Sequence, residues 1–167
     1  MQGDYVALHV RVRNRPIREF HDKKGRVFVE GRPGSEYDLE VRNATGRRVM
    51  VVLSVDGISV NTGKQASLDD VDGQWIDPYE MKRCTGITDG GEVSTFTFAK
   101  RKVRNAGVIG CAVVVEPGLG PREVLTLYYD DARGLGKRGV DVRTSRVRPL
   151  GNPFPASGCT PPKGWQA

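Results

Sequence analysis

The chain has 167 residues, 38% of them hydrophobic, with 21 Gly, 10 Pro and a net charge of +6. That length suits one ordinary domain core plus arms or long loops, and the apolar content is too high for a disordered chain. No apolar run approaches the ~20 residues that cross a bilayer, and MQGDYVALHV lacks a basic start followed by a long apolar stretch, so neither a membrane span nor a secretory signal is expected.

Tyr5 to Arg13 reads as a first strand, ended by Arg15-Pro16, with Ile17 to Phe20 as a continuation and Asp22-Lys23-Lys24-Gly25 as a turn. Arg26 to Glu30 is a short strand closed by Gly31-Arg32-Pro33-Gly34. From Tyr37 to Asn43, Tyr37, Leu39 and Val41 alternate with Asp38, Glu40 and Arg42, which places the first set on a core face. Asn43-Ala44-Thr45-Gly46 reads as a hairpin connection. Arg47 to Val55 is apolar at nearly every position, as expected of a central strand covered on both faces. Asp56-Gly57 is a second turn signal, with the aspartate capping its own backbone.

Residues 62 to 91 are polar, Gly-rich and acidic, with short strands expected near Gln74 to Ile76 and Cys84 to Ile87. Glu92 to Phe98 resumes alternation through Val93, Phe96 and Phe98. Val108 to Glu116 reads as a buried strand and Val124 to Tyr129 as the last. The fold class is therefore all-β, an antiparallel β-sandwich of jelly-roll or Ig-like type over residues 1–130. Residues 131–167 show no periodicity and carry Pro149, Pro153, Pro155, Pro161 and Pro162, and they read as a basic, Gly/Pro-rich extended C-terminal arm.

Charge is segregated along the chain. The net is +4 over residues 1–35, −5 over 36–99 and +7 over 100–167. An acidic body with basic ends suits pairing with copies of itself or with neighbours of mixed charge better than uniform nucleic-acid binding. Lys100, Arg101, Lys102 and Arg104, with Arg143, Arg146 and Arg148, are candidates for assembly or phosphate contacts. No interleaved aromatic ladder or recognition helix accompanies them. Phe154 and Trp165 are candidate anchors of the arm on another subunit.

Trp75, Asp77, Tyr79 and Glu80 place two aromatic rings beside carboxylates, a set that can bind a sugar or a basic peptide; the alternative is that Trp75 plugs the end of the sandwich. Ser54 and Asp56 lack a G-x-S-x-G elbow and read as turn chemistry. Asp69-Asp70-Val71-Asp72-Gly73 has the acidic density of a calcium loop, but a twelve-residue loop starting at Asp70 ends on Met81 instead of a closing glutamate, and a solvated loop is expected. Cys84, Cys111 and Cys159 are odd in number and irregularly spaced, which argues against a disulfide framework and a zinc site. Neither a cofactor nor a metal is expected. Asn43-Ala44-Thr45 matches a glycosylation acceptor and is read as a turn.

The runs VEGRPGSEYDLEVRN, RVMVVLSVDGISVNTG, WIDPYE, EVSTFTF and NAGVIGCAVV resemble a group of uncharacterised bacterial proteins. These share V-E-G-x-x-G-x-E-Y, V-L-S-V-D-G, D-P-Y and G-V-I-G stretches. The resemblance spans residues 27–116, with a weaker echo at Leu125 to Asp130. It implies a shared β fold and no particular reaction. The KRKVR segment and the C-terminus depart from the shared pattern.

The expected function is that of a non-enzymatic structural or interaction protein, in concrete form a virion component (phage capsid decoration or tail-associated), located in the virion or the cytoplasm. Its partners would be other protein subunits, as a homo-oligomer or a larger assembly reached through loops and the arm, and no membrane. The alternatives are a soluble bacterial carbohydrate- or peptide-binding module and, less favoured, a basic nucleic-acid accessory protein.

Overall fold

The computed structural model describes residues 1–68, 72–99, 107–116 and 120–142. In chain order the strands are β1 (Val6–Val12), β2 (Arg15–Pro16), β3 (Glu19–His21), β4 (Val27–Glu30), β5 (Asp38–Asn43), β6 (Val49–Val55) and β7 (Ile58–Ser59). They continue with β8 (Gln74–Ile76), β9 (Met81–Cys84), β10 (Gly86–Asp89), β11 (Glu92–Thr95), β12 (Val108–Val114) and β13 (Glu123–Asp130), followed by one helix, α1 (Ala132–Lys137).

Period-two patterning builds two facing sheets. The smaller runs β2-β1-β5-β9, and the larger runs β3-β4-β13-β12-β6-β7, with β8 also on β6. Leu8, Val10, Leu39 and Val41 of the small sheet meet Val51, Leu53, Ile109, Cys111 and Leu127 of the large one in a single apolar cluster. β6 is buried along nearly its whole length between β12 and the short strands β7 and β8. The all-β sandwich-like fold is thus the observed one.

The fold departs from the sequence reading in four places. The large sheet is mixed, because β4 and β13 pair in parallel, Leu127 opposite Val27 through Asp130 opposite Glu30. Asn43 to Gly46 is no hairpin: β5 pairs with β1 and β9, while β6 lies in the other sheet, so this turn carries the chain between layers. Val93 is exposed on the two-stranded β10–β11 ribbon, and only Phe96 and Phe98 reach the core. The body also extends past residue 130. Asp131 caps α1, its carboxylate accepting from the Gly134 amide at 2.7 Å. Leu135 and Val140 then bury against Phe28, with Phe20, Tyr128 and Val142 around them. A segment with three nearby glycines has weak helix propensity, and tertiary docking of Leu135 overrides it. Residues 143–167, with Arg143, Arg146, Arg148, Phe154, Cys159 and Trp165, lie outside the described residues, as do Lys100, Arg101, Lys102 and Arg104.

Candidate protein-binding cleft

A cleft of about 730 Å³ opens at one end of the sandwich, where β1 turns into β2, β4 runs out and β5 begins. Its lining includes Val12, Ile17, Tyr37 and Phe98, with Arg13, Arg32, Glu30, Glu36 and Asp38 as its charged groups. The Tyr37 ring lies between Phe96 and Phe98, at centroid distances of 5.3 and 4.4 Å. The Tyr37 hydroxyl is buried with no hydrogen-bond partner. Burial, reinforced by the nearby Tyr129 and Asp56, pushes its ionisation well above the ordinary phenol range.

The backbone that presents these charges is clamped. Arg13 and Asn14 have φ of 49° and 66°, the left-handed conformation of a tight two-residue turn joining Val12 to Arg15. Asparagine tolerates this region; arginine does so at a cost of ~1 kcal/mol. The Asn14 side chain accepts from Arg83 Nη1 at 2.5 Å, and its carbonyl accepts from Arg11 Nη2. Both arginines also bind Glu40 Oε2, Arg11 at 2.8 Å and Arg83 at 3.5 Å. On the opposite rim the Arg32 loop is held by Gly34 N donating to the Phe98 carbonyl and by Phe98 N donating to that of Ser35. The side chains of Arg13, Arg32, Glu30, Glu36 and Asp38 themselves make no hydrogen bond or ion pair with any described residue.

Behind the cleft, Asp56 has a different role from the one its turn suggests. With Gly57 it adopts positive φ, as a tight turn requires, but its carboxylate points away from that turn. Oδ1 accepts from the Gly107 and Val108 amides at 2.8 and 3.3 Å, and Oδ2 accepts from the Tyr129 hydroxyl at 2.6 Å. Tyr129 ionisation is raised by burial first and then by this bond to a carboxylate. Ser54 packs beside Gly110 and takes no part.

The set read from sequence as ligand-binding lies at the other end and does not converge. Trp75 is half-buried on β8, with the Arg48 guanidinium 5.1 Å from its ring centre. The same Arg48 pairs with Asp77 through Nε to Oδ1 at 2.9 Å. Tyr79 and Glu80 are exposed on the turn into β9, Tyr79 with φ of 62°. Arg48 thus links the Trp75 ring face to the Asp77 carboxylate. Asn43 fastens this end. Its Nδ2 donates to the carbonyls of Arg47, Asp77 and Ile76 at 2.6, 3.0 and 3.2 Å, and Oδ1 accepts from Thr45 N and Oγ1 at 2.9 and 2.8 Å. Such engagement also removes the side chain from use as a glycosylation acceptor in the folded chain.

Cys84 and Cys111 are buried free thiols; burial pushes Cys111 up to about 12. Among the described residues no group of three or more His, Cys, Asp or Glu side chains is placed to hold a metal ion, and no helix is long and apolar enough to cross a membrane. Of the calcium-like run, Asp69 to Val71 lie outside the described residues, and Asp72 presents its carbonyl to Asn61 Nδ2.

No family model, curated protein or solved structure matches this chain.

The charged residues that sequence reading missed are Arg13, Glu30, Arg32, Glu36 and Asp38. One signal for them was present. Arg13 and Arg32 come from the basic first block and Glu36 and Asp38 from the acidic middle, and the fold gathers both blocks at one rim.

Proposed function

We infer that the chain is a non-enzymatic interaction module that joins neighbouring protein subunits through the cleft between the β1–β2 turn and the Arg32 loop. The observation that carries this reading is the set of five charged side chains around an aromatic floor, none of them committed to a partner within the fold. Three carboxylates beside two guanidiniums repel a polyanionic backbone. They match a polypeptide segment carrying both signs, and a chain with alternating charge blocks is itself such a polypeptide.

In its concrete form the module is a virion component, decorating a capsid or associated with a tail, where one mixed-charge contact repeats by symmetry. The reading is tested by sedimentation of the full chain across a concentration series at low and high salt. Self-association that weakens with salt and disappears in the Arg13→Glu, Arg32→Glu double variant supports it. A chain that stays monomeric throughout, or associates equally well with both charges reversed, removes it. Capsid or tail genes flanking the coding sequence support the particle version, and their absence from the neighbourhood counts against it.

A further inference from the structure

The β10–β11 ribbon turns one of its edges to the body and the other outward. Gly90 and Gly91 form a two-residue left-handed turn, with φ of 57° and 94°, so Asp89 and Glu92 close the hairpin as a hydrogen-bonded pair. The next pair, Thr88 with Val93, then directs its backbone groups away from the ladder. On β10 they meet the body, where Thr88 N donates to the Val60 carbonyl at 2.8 Å. On β11 they point the opposite way, out of the ribbon.

The same parity runs on past the strand. Phe96 N donates to the Thr85 carbonyl and Phe98 N to that of Ser35, while the Phe96 and Phe98 carbonyls accept from Tyr37 N and Gly34 N. Both phenylalanines therefore turn their backbone inward, and alternation sets the N–H and C=O groups of Val93, Thr95 and Thr97 along one outer edge. The side chains of Glu92 to Thr95 and of Thr97 are exposed. Exposed edges are normally guarded by Lys, Pro or a bulge, but the run EVSTFTF carries no Lys, Arg or Pro, and Val93, Thr95 and Thr97 are β-branched strand formers. This edge ends at the cleft, which Thr95 and Phe98 line together with Arg32 and Glu36.

We propose that β11 pairs in antiparallel fashion with β11 of a second copy of this chain, joining two ribbons into one sheet across a two-fold axis at Thr95; this rests on the self-association reading above. The register follows from the parity. Val93 pairs with the second copy's Thr97, and Thr95 with the second copy's Thr95, the one register that engages Val93, Thr95 and Thr97 of both chains. It sets Glu92 of each copy opposite Phe98 of the other, two strand spacings (~10 Å) from the Gly34–Ser35 backbone of the loop that carries Arg32. Glutamate and arginine side chains together span that gap. The acidic ribbon, with Asp89 beside Glu92, thereby reaches the basic rim of its neighbour's cleft, and the two-fold axis makes the contact twice. Backbone bonds supply the affinity in this arrangement, and the charges hold the register.

Amide hydrogen exchange of the full-length chain, followed by NMR across a dilution series, tests it. On association, exchange at Val93, Thr95 and Thr97 is expected to slow at least tenfold, with no comparable change at Ser94. Slow exchange at those amides already in the dilute monomer means that the chain covers its own edge, and overturns the proposal. Salt-sensitive association that is lost in the Arg13→Glu, Arg32→Glu variant while these amides stay fast leaves the cleft reading standing and removes this one. A chain that is monomeric at every concentration removes both. Thr95→Pro supplies an independent readout, because Thr95 faces away from the β10 ladder and a proline there keeps the ribbon paired. It is expected to weaken self-association at least tenfold at unchanged circular dichroism, and unaltered association contradicts the proposal.

Discussion

The two ends of the sandwich solve the same problem of polar groups near a core in opposite ways. At the Asn43 end the amide satisfies three carbonyls and one threonine, and Arg48 satisfies both Trp75 and Asp77. The Asn43 amide, the Trp75 ring face and the Asp77 carboxylate are there answered from within. At the cleft end the backbone is equally well held, by Arg11, Arg83 and Glu40 around Asn14 and by Asp56 and Tyr129 behind, but the charges on the rim are left unanswered. Rigid backbone under unpaired side chains is the arrangement of a surface prepared for something outside the chain. Fully mutual pairing is the arrangement of a structural joint. Residue type alone would have ranked the ends the other way, since Trp75 and Tyr79 look more like a binding site than Arg13 and Asp38 do.

Raising the pH should separate the ends most sharply. Cys111, Tyr37 and Tyr129 are acids whose folded-state ionisation is shifted upward, all three chiefly by burial. Their neutral forms are favoured in the fold, so their contribution is complete below the ordinary values of 9.0 for the thiol and 10.0 for the phenols. It is lost as pH climbs towards about 12, the value for Cys111. Each such group lowers the folding free energy by ~1.4 kcal/mol per pH unit inside its window. Urea midpoints measured from pH 8 to 11 should fall progressively, and Cys111→Ala should flatten the first part of the slope. A midpoint that is level across this range contradicts the buried, neutral assignment. Hydrogen exchange over the same range should accelerate first at Gly107 and Val108, whose amides depend on the Asp56–Tyr129 pair, and last at the Asn43 turn.

Asn43→Ala attacks the closed end. It removes the amide bonds to the carbonyls of Arg47, Ile76 and Asp77; the Arg47 carbonyl keeps Thr45 Oγ1 and the Asp77 carbonyl keeps Glu80 N, so the buried Ile76 carbonyl bears most of the loss and ~2 kcal/mol is expected in chemical denaturation. Association through the cleft, measured below the new midpoint, should be untouched. If the variant instead loses association while keeping its stability, the roles assigned to the two ends are reversed.

Much of this architecture was legible in the sequence because its causes are local. Alternation marked β5, and short apolar strand-like runs marked β1, β12 and β13, to within a residue or two, and Asp56-Gly57 announced its turn. What stayed hidden depends on pairing at long range. Nothing in Asn43 to Gly46 tells a hairpin from a crossing between sheets, because that is decided by β1 competing for β5. The parallel match of β4 with β13 joins segments about a hundred residues apart. α1 is marked only by its Asp131 cap and exists because Leu135 finds Phe28. The cleft was invisible for the same reason: its rim is drawn from the first basic block and the acidic middle, which adjoin only after the sheets close.

A smaller effect probes the cleft floor. The Tyr37 hydroxyl is buried without a partner, so Tyr37→Phe removes a desolvated polar group while keeping the ring stacked between Phe96 and Phe98. A gain of ~1 kcal/mol is expected, with association unchanged; a loss of stability would mean that the hydroxyl has a partner in solution.

The smallest effect is the most informative about the rim. Arg13 holds a left-handed backbone at a cost that glycine would not bear, so Arg13→Gly should stabilise the chain by ~0.5–1 kcal/mol. The same change deletes one of the two guanidiniums that line the cleft with Glu36 and Asp38, and it should weaken self-association and its salt dependence together. A residue that lowers stability where it stands and raises affinity for a neighbour is retained for the neighbour. If Arg13→Gly stabilises the fold and association is unaffected, the strained turn serves the Asn14 clamp alone and the cleft loses its strongest claim as the contact surface.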